Sequence, residues 1–460
     1  MATICEKIFR EYDIRGVVGP EITEDGAFLI GKAFGSVVKE AKGARVCVGR
    51  DGRLSSPALF QQLTQGLLTT GVTVIDVGIG PTPYTNFCAR HLDTDAMMMV
   101  TGSHNPGDQN GFKMALFHKA FWGEQVRALK DRIDEERFVQ GDGIFIAQAL
   151  QEAYVDYLVK DFKDHYSQGR PLTVAWDPGN GAGGDIVEAL TKRIPGTHYV
   201  INAPIDGTFP AHHPDPTVAK NLVELQALVK EKDCDLGLAF DGDADRLGVV
   251  DGDGTILWGD EFMELFAKEV LLAKPGARII ADVKASETLF DAVRAMGGDA
   301  LMWKTGHSLI KTKMYETGSP LAGELSGHIF FADRYFGFDD ALYAGLRLLG
   351  ICATSDQSLA RWNRARPKRF GTPELRLPCV TKDRFDVVKE VGALARKQGL
   401  AVDETDGVRV KNNHGWWLVR ASNTQDLLVA RAESLTPEGL EVLVSTLKEL
   451  LIPHGVSFDA

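Results

Sequence analysis

The chain has 460 residues, of which 44% are hydrophobic and 25% charged, and its formal net charge is −12. This length predicts roughly three or four domains of about 100–150 residues each, and the composition excludes a disordered or fibrous protein. The acidic balance argues against nucleic acid or an anionic membrane as a partner, although a local basic cleft could still bind a small anion.

The N-terminal stretch MATICEKIFREYDIRG is too polar for a secretory signal, and no run of about 18 apolar residues could span a bilayer. The cysteines are far apart and form no C-x-x-C pair, so the sequence indicates neither a zinc site nor a disulfide framework. They are Cys5, Cys47, Cys88, Cys234, Cys352 and Cys379. We therefore expect a cytoplasmic enzyme.

A pattern of strand, polar loop, helix and strand occurs three times along the chain. It covers residues 44–78, 172–202 and 277–306, and the loop opens on an aspartate each time: Asp51, Asp177 and Asp282. This alternation is typical of βαβ units on a largely parallel sheet. The copies begin more than about 100 residues apart, which favours three related domains over a short-period solenoid.

Each copy is followed by a further strand that leads into an unusually polar loop. The three loops are TGSHNP (101–106), DGDADR (241–246) and GELSGH (323–328). Ligands of open α/β sheets bind at the carboxyl ends of the strands. Three domains could therefore each present one loop to a shared cleft.

The pattern changes from about Arg369 onward. Residues 402–434 alternate apolar and polar positions, with turn signals at Asp406-Gly407 and Asn412-Asn413, which predicts antiparallel hairpins. A C-terminal helix is predicted over 437–451.

We thus predict three related α/β domains with mixed sheets and a C-terminal α+β domain with an antiparallel sheet, around a central cleft. The expected domain ranges are 1–152, 153–254, 255–368 and 369–460.

The loop DGDADR places Asp241, Asp243 and Asp245 at alternate positions after a strongly apolar run. Carboxylates this close repel one another, which favours either a raised pKa or a bound divalent cation. An EF-hand would require glycine and glutamate where this chain has Arg246 and Gly252. A turn with solvated acids is the alternative, but three aspartates between apolar strands favour a hard cation such as Mg²⁺.

Two other motifs favour simpler interpretations. GNGAGG (179–184) matches G-x-G-x-x-G, yet Asp177-Pro178 precede it and the next strand ends in Asn202, so a tight turn is favoured over a dinucleotide site. Ser103 with His104 as its base would make a hydrolase, but neighbouring side chains point apart and no G-x-S-x-G elbow is present. A loop serine, a triple-aspartate loop and basic residues together are instead typical of phosphoryl transfer.

Two further loops carry hydrogen-bonding side chains. GELSGH contains Glu324, Ser326 and His328, which could bind the hydroxyls of a polyol, although a helix cap or a buried histidine is the alternative. RASNTQ (420–425) combines one arginine with three small polar residues, a set suited to phosphate oxygens. An ordinary surface turn is the alternative there.

Taken together, these loops make the sequence resemble the α-D-phosphohexomutase family, in its bacterial phosphomannomutase/phosphoglucomutase branch. The motifs follow the family order over nearly the whole chain: EYDIRG, TGSHNP, NGFK (110–113), DGDADR, DVKASE (282–287), KTGH (304–307), GELSGH and RASNTQ. The family's serine loop usually reads T-A-S-H-N-P. Here Gly102 replaces the alanine, a change expected to loosen the loop.

The resemblance implies that Ser103 carries a phosphoryl group and hands it to the substrate. It also implies that Asp241, Asp243 and Asp245 bind Mg²⁺ together with a phosphoserine oxygen. Hexose 1,6-bisphosphate would serve as intermediate and activator. The expected partners are sugar phosphates, without nucleic acid or membrane, and the protein is expected to be a monomer or weak dimer.

The resemblance assigns further roles position by position. The basic residues around the phosphate would be Arg15, Lys113 and Arg246, with Lys284 supporting the phosphoryl site. His307 would transfer a proton or position the substrate. The substrate contacts would be Tyr12, Glu324, Ser326, His328, Arg420, Ser422, Asn423 and Thr424.

Three alternatives compete with a hexose 1-/6-phosphate mutase. Phosphoglucosamine mutases typically have D-G-D-G-D-R in the metal loop and glutamine in the sugar loop, where this chain has Ala244 and Leu325. A sugar-phosphate binding protein without catalysis is a second alternative, against which the intact Ser103 and aspartates argue. A metal-dependent phosphatase is the third.

Overall fold

The computed structural model describes residues 4–379, 382–423 and 426–458. Within these residues the strands form four sheets that follow one another along the chain. The fold class predicted from the sequence is confirmed: three α/β domains with mixed sheets precede a domain with an antiparallel sheet. The residue numbers at which the domains were expected to divide stay a prediction.

The first domain contains a sheet in the order β1-β5-β4-β2-β3-β7, with β6 beside β5. Its strands are β1 Ile14–Val17, β2 Arg45–Arg50, β3 Thr73–Ile79, β4 Ala96–Val100, β5 Gln109–Leu116, β6 Lys119–Ala120 and β7 Ile144–Ala147. Its helices are α1 Glu24–Glu40, α2 Ser56–Leu68, α3 Thr82–His91 and α4 Glu124–Asp134.

Helices α1 and α2 pack against each other at unusually short range. A Cβ atom at Gly31 would lie 2.2 Å from the Leu63 carbonyl oxygen, and one at Gly66 would lie 2.0 Å from that of Phe28. The two glycines therefore allow the backbones of the two helices to touch. At its start, α1 is capped by Thr23, whose side chain accepts a hydrogen bond from the first turn.

The second domain contains a sheet in the order β12-β11-β10-β8-β9. Its strands are β8 Leu172–Asp177, β9 Gly196–Val200, β10 Leu236–Phe240, β11 Leu247–Asp251 and β12 Ile256–Leu257. Its helices are α5 Gln151–Tyr166, α6 Gly184–Thr191 and α7 Val223–Glu231, with a short 3₁₀ turn at Ala219–Leu222.

The third domain contains a sheet in the order β14-β13-β15-β16. Its strands are β13 Arg278–Asp282, β14 Asp299–Trp303, β15 Leu321–Gly323 and β16 Ile329–Phe331. Its helices are α8 Gly259–Ala273, α9 Glu287–Ala295, α10 His307–Thr317, α11 Ala341–Thr354 and α12 Leu359–Ala365.

The fourth domain contains an antiparallel sheet. Its strands are β17 Phe370–Gly371, β18 Leu375–Pro378, β19 Val402–Asp403, β20 Val408–Asn412, β21 Gly415–Ala421 and β22 Leu427–Ser434. Its helices are α13 Arg384–Lys397 and α14 Pro437–Leu451.

The first three domains share one strand pattern. A central strand (β2, β8 or β13) pairs in parallel with β3, β9 or β14 on one side and with β4, β10 or β15 on the other. An antiparallel strand, β5, β11 or β16, comes next. The three polar loops begin at the ends of β4, β10 and β15, as the repeat predicts.

One hydrophobic core extends through the first three domains, while the fourth has its own. In the shared core the rings of Phe87 and Tyr154 have centroids 5.2 Å apart, and Trp176 stacks on Phe240. Tyr154 also donates a 2.7 Å hydrogen bond to Asp340, and burial raises the pKa of that carboxyl to about 6. This continuous packing fixes the three loops relative to one another.

The fourth domain contacts the third through Arg409 of β20. Its guanidinium donates a 2.6 Å hydrogen bond to the Val283 carbonyl oxygen, lies 3.2 Å from Glu287 and covers the Trp416 ring. Burial lowers the pKa of Arg409 to about 10. Within the described ranges, no helix has the length and apolar character needed to cross a membrane.

Candidate active site

Ser103 lies just beyond β4 and is 3% exposed. Its Oγ donates a 3.0 Å hydrogen bond to Asp241 Oδ2 and lies 3.2 Å from Nδ1 of His104. Its φ of +50° is in the left-handed region, which costs a non-glycine residue about 1 kcal/mol or more. A hydrogen bond from its N–H to Thr101 Oγ1 supports this turn. The backbone thus directs the hydroxyl toward the second domain.

Arg53 holds the serine loop, a role that the sequence did not reveal. The side chain is 1% exposed, and its guanidinium also pairs with Asp51 at 3.2 Å. It donates hydrogen bonds of 2.6–2.9 Å to the carbonyl oxygens of Ser103, Asn105, Pro106 and Gln109. A planar group with several fixed donors can hold four carbonyls at once, which a lysine cannot do.

Gly102 is needed for this arrangement. A Cβ atom at this position would lie 2.3 Å from Cζ of Arg53, so the glycine lets the guanidinium lie against the loop. The Gly102 carbonyl accepts a 2.5 Å hydrogen bond from Arg15, and its N–H donates to Asp51. The contacts therefore do not support the loosening expected from the sequence, because hydrogen bonds hold both the backbone N–H and the carbonyl oxygen of Gly102.

The three aspartates of the metal loop have no exposed surface and lie beside Lys113. Lys113 Nζ is 2.7 Å from Asp243 Oδ2 and 2.5 Å from Asp245 Oδ2. Thr82 at the start of α3 donates a further hydrogen bond to Asp243. The first and second domains thus meet at this cluster.

The cluster fits a hard divalent cation. Ligand oxygens of Asp241, Asp243 and Asp245 all lie within 4.8 Å of one another. The Oδ1 atoms of Asp243 and Asp245 are buried and have no hydrogen-bond partner in the described part of the chain. Buried anionic oxygens without a donor are costly unless a cation satisfies them, and an all-oxygen set favours Mg²⁺.

Burial and mutual repulsion shift the pKa values of these aspartates. Burial, followed by the charges of Asp245 and Asp243, raises the pKa of Asp241 well above its usual range. Burial and Asp243 also raise the pKa of Asp245. Burial opposes ionisation of Asp243 as well, but the Lys113 ammonium lowers its pKa below the usual range. Lys113 and the nearby arginines therefore do not keep all three carboxylates in their ordinary pKa range, and a divalent cation would add the positive charge that favours their ionised form.

Arg246 links the metal loop to the polar loop of the third domain. Its Nε donates a 3.0 Å hydrogen bond to Nε2 of His328. Because Nε2 accepts, the proton of a neutral His328 ring is on Nδ1, which lies 3.2 Å from Asp339 and 3.5 Å from Asp245. His328 is thereby oriented between the metal loop and Asp339.

Glu324 is buried in the same third-domain loop. Its carboxylate accepts 2.8 Å hydrogen bonds from the Gly306 N–H and from the Ser326 hydroxyl. The carboxylate therefore ties the GELSGH loop to the KTGH segment at the start of α10.

His307 begins α10 and lies between Tyr12 of the first domain and His328 of its own domain. Its ring centroid is 5.6 Å from that of His328 and 6.1 Å from that of Tyr12. Burial and the Lys311 ammonium hold the pKa of His307 well below its usual range. The ring of His307 is therefore neutral, and its unprotonated nitrogen can accept a hydrogen bond from a hydroxyl placed beside it.

Tyr12 joins three domains. Its hydroxyl donates a 2.9 Å hydrogen bond to the Thr305 carbonyl oxygen and accepts one of 2.7 Å from Asn423. Burial raises the pKa of Tyr12 to about 12, so it stays protonated.

Arg420 lies at the end of β21 and is also buried. Its Nε is 2.9 Å from Asp406 Oδ2, which accepts a hydrogen bond from the Thr305 N–H as well. Ser422 is buried just beyond it, and Thr424 lies outside the described residues. The fourth-domain loop is thus tied to the third domain near Tyr12 and His307.

Lys284 contacts the third and fourth domains. Its Nζ lies 2.8 Å from Glu374 and 3.7 Å from Asp282. Burial opposes ionisation of Glu374, but Lys284 lowers its pKa to about 2. The support that Lys284 was expected to give the phosphoryl site stays a prediction.

The aspartates that open the three repeated loops have a structural role. Asp51 accepts a hydrogen bond from the Gly102 N–H, and Asp282 accepts one from the Leu325 N–H. In the second domain Asp177 instead contacts the Gly179 N–H and His212. The repeat in the sequence identified these three aspartates, but it did not predict which groups they contact.

The site combines a buried serine, a carboxylate cluster suited to a divalent cation, and buried arginine and lysine side chains at one junction. This set of groups defines a protein built for phosphoryl transfer between oxygens.

Comparison with known proteins agrees with that class. Four models of phosphoglucomutase/phosphomannomutase match in order: alpha/beta/alpha domain I at 6–140, domain II at 152–254, domain III at 258–370 and the C-terminal domain at 374–449. The chain therefore belongs to the phosphoglucomutase/phosphomannomutase family.

Full-length relatives show the same similarity. A phosphomannomutase/phosphoglucomutase of Pseudomonas aeruginosa is 43% identical over 98% of this chain and 96% of its own. A phosphoglucomutase of Neisseria gonorrhoeae is 42% identical over 98% of each chain. A crystal structure of a family protein from Burkholderia thailandensis covers 98% of each chain, with 42% identity and a TM-score of 0.91.

Proposed function

We propose that this protein interconverts hexose 1-phosphates and hexose 6-phosphates, with Ser103 as the phosphoryl carrier. The observation that supports this most directly is the hydrogen bond from Ser103 Oγ to Asp241, because it joins a phosphate-accepting oxygen to a cation site. Relatives of similar length are named as mutases of glucose and mannose phosphates. The substrates proposed here are therefore glucose and mannose phosphates.

In the proposed transfer, a sugar hydroxyl attacks the phosphorus on Ser103. The new O–P bond forms at the sugar as the Ser103 O–P bond breaks. The hydroxyl proton passes to a base, for which we propose His307, and the departing Ser103 oxygen takes up a proton from solvent to become a hydroxyl again. Arg15, Lys113 and Arg246 balance the charge of the moving group. Mg²⁺, when bound by the aspartates of the metal loop, would supply further charge neutralisation and in-line positioning.

The product of the first transfer is a hexose 1,6-bisphosphate, which returns its other phosphate to Ser103 after turning over. The site must therefore bind a phosphate at a second point, whichever end of the sugar is attached there. We propose that this clamp consists of Arg420, Ser422, Asn423 and Thr424. The sugar hydroxyls would be bound by Glu324, Ser326 and His328, with Tyr12 beside them. Lys284 would support the phosphoryl site. We also propose a cytoplasmic location and a monomer or weak dimer.

Assays of three substrates test the proposal. Mannose 1-phosphate, glucose 1-phosphate and glucosamine 1-phosphate are each supplied with Mg²⁺ and a trace of glucose 1,6-bisphosphate, and the 6-phosphate and inorganic phosphate are measured. We expect 6-phosphates of mannose and glucose without steady release of phosphate. Release matching substrate loss would indicate a phosphatase, and absence of turnover with all three would indicate a binding protein.

Replacing Arg420 with alanine should weaken substrate capture in both directions. Charge-assisted hydrogen bonds contribute about 1.5–3 kcal/mol each, so kcat/KM should fall roughly ten- to several-hundredfold for 1-phosphate and 6-phosphate substrates alike. Ser103 phosphorylation should be spared. Measuring kcat/KM both ways decides this, because an effect in one direction only would exclude a shared clamp. Arg396→Ala, at an arginine of α13 that pairs with Glu404, is the control in the same domain.

Replacing Arg53 with glutamine should slow phosphoryl transfer because the carbonyl oxygens of the serine loop lose their common donor. We expect kcat to fall roughly ten- to a hundredfold, since small displacements of reacting groups have effects of this size. Arg347→Gln removes an equally buried arginine that pairs with Glu269 and Asp333. Both variants should lower the melting temperature, but only Arg53→Gln should slow phosphorylation of Ser103 by glucose 1,6-bisphosphate. Equal phosphorylation rates in the two variants would contradict the positioning role.

A further inference from the structure

A cavity of about 360 Å³ lies between the first and third domains. It meets the candidate active site only at Tyr12, Lys113, Asp245 and His307. The rest of its wall comes from α3, from strands β4 to β6, from α10 and from the segment that follows β16. None of these other wall residues has a part in the proposed phosphoryl transfer.

Most of this wall is apolar. Met97, Met114 and Met314 line it together with Phe336 and Phe338. Methionine side chains adapt their shape to an occupant, and cavities of about 300–1,000 Å³ with such walls are typical of small-molecule sites. The hydroxyl groups of a sugar phosphate would find few hydrogen-bond partners on these apolar surfaces.

The charged groups of the wall are nearly all positive. Arg90, Lys119 and Lys311 line the cavity, and the one carboxylate among the described wall residues, Asp245, is paired with Lys113. Lys311 is paired with an aspartate outside the wall. An anionic group in the cavity would therefore meet cations rather than competing acids.

Arg90 is the cation best placed to hold an anion. No carboxylate of the described chain lies within salt-bridge distance of its guanidinium, whose Cζ is 5.6 Å from the centroid of Phe336. The side chain is half-buried, and burial lowers its pKa. A partly desolvated cation without a counter-ion gains from an anionic partner.

We propose that this cavity binds a small molecule with a flat apolar body and one anionic group, such as an aromatic carboxylate or sulfonate. The body packs between the methionines and Phe336, and the anion pairs with Arg90. An occupant also contacts Lys113 and His307 at the inner end, so it slows the mutase. That coupling rests on the proposed function, whereas the binding does not.

The probe is 8-anilino-1-naphthalenesulfonate, titrated into the full chain with Mg²⁺ and followed by fluorescence. We expect one dye molecule to bind per chain at the site of highest affinity. Arg90→Gln should weaken it roughly ten- to a hundredfold, the value of one or two charge-assisted hydrogen bonds. N-phenyl-1-naphthylamine, the same body without the sulfonate, should bind more weakly and be unaffected by Arg90→Gln. Ala115→Phe, which fills the cavity, should remove both signals.

Phe145→Ser is the matched control, because Ile144, Phe145 and Ile146 form an exposed apolar patch on β7 that could also attract the dye. Loss of the signal in Phe145→Ser, or unchanged dye affinity in Arg90→Gln, would overturn the site. If Ala115→Phe does not fold, the affinities of the two dyes for the Arg90→Gln variant and the wild-type chain still test the site. The mutase rate should fall along the same dye titration, and a bound dye without slower turnover would overturn the coupling.

Discussion

Ser103→Ala should abolish mutase turnover, with a loss of roughly a thousandfold or more, because it removes the oxygen that we propose carries the phosphoryl group. The Ser103 hydroxyl is buried and donates to Asp241, so its removal leaves the carboxylate cluster in place but without an oxygen to accept phosphate. Incubation with glucose 1,6-bisphosphate should add one phosphate to the wild-type chain and none to the variant. Intact-mass measurement and peptide mapping report this directly.

Ser36→Ala is the control for this experiment. Ser36 is a buried serine of the same domain, and its hydroxyl donates to the Lys32 carbonyl oxygen within α1. It should keep both activity and phosphorylation. Phosphate mapped only to another residue, or near-normal turnover of Ser103→Ala, would exclude the phosphoserine mechanism.

The elements that follow from local periodicity could be predicted. Strand–helix alternation and the three polar loops are visible along the sequence, and loops that follow parallel strands meet at the carboxyl ends of sheets. The position of Ser103 relative to Asp241 required one further inference, that three similar domains share a cleft. The resemblance to a family added the roles of the loops.

Contacts between distant positions could not be predicted in this way. Arg53 is separated by 50 to 56 residues from the carbonyls that it holds, and Thr82 by 161 residues from Asp243. Backbone carbonyls leave no mark on residue type, so no local pattern distinguishes Arg53 from a surface arginine. The role of Asp406 likewise depends on a partner in another domain, Thr305, and that of Asp339 on His328 elsewhere in its own domain.

The chemistry of Gly102 illustrates the same limit. The sequence shows only that a glycine stands where alanine is usual in the family, and glycine alone suggests flexibility. The structure shows the Arg53 guanidinium where a Cβ atom would be. A more flexible backbone would loosen the serine loop, whereas the space left by the missing Cβ atom lets Arg53 hold the loop in place. Only three-dimensional contacts distinguish these two effects.

Asp243→Asn should lower activity roughly a hundredfold or more and weaken Mg²⁺ binding. The variant keeps the shape of the side chain, but its neutral amide is a poorer ligand and loses the charge that attracts both the cation and Lys113. Titration of activity with Mg²⁺ should show a higher midpoint. Because a ligand stabilises the state that binds it, the rise in melting temperature on adding Mg²⁺ should also be smaller.

Binding of Mn²⁺, followed by electron paramagnetic resonance, gives a measure that does not depend on turnover. Asp340→Asn is the control, because Asp340 is equally buried but accepts its hydrogen bonds from Tyr154 and Tyr335, outside the metal cluster. That variant should lose stability and keep wild-type Mn²⁺ affinity, while Asp243→Asn should bind Mn²⁺ more weakly. Unchanged Mn²⁺ affinity in Asp243→Asn, or full wild-type turnover in excess chelator, would show that the aspartate cluster is not the metal site.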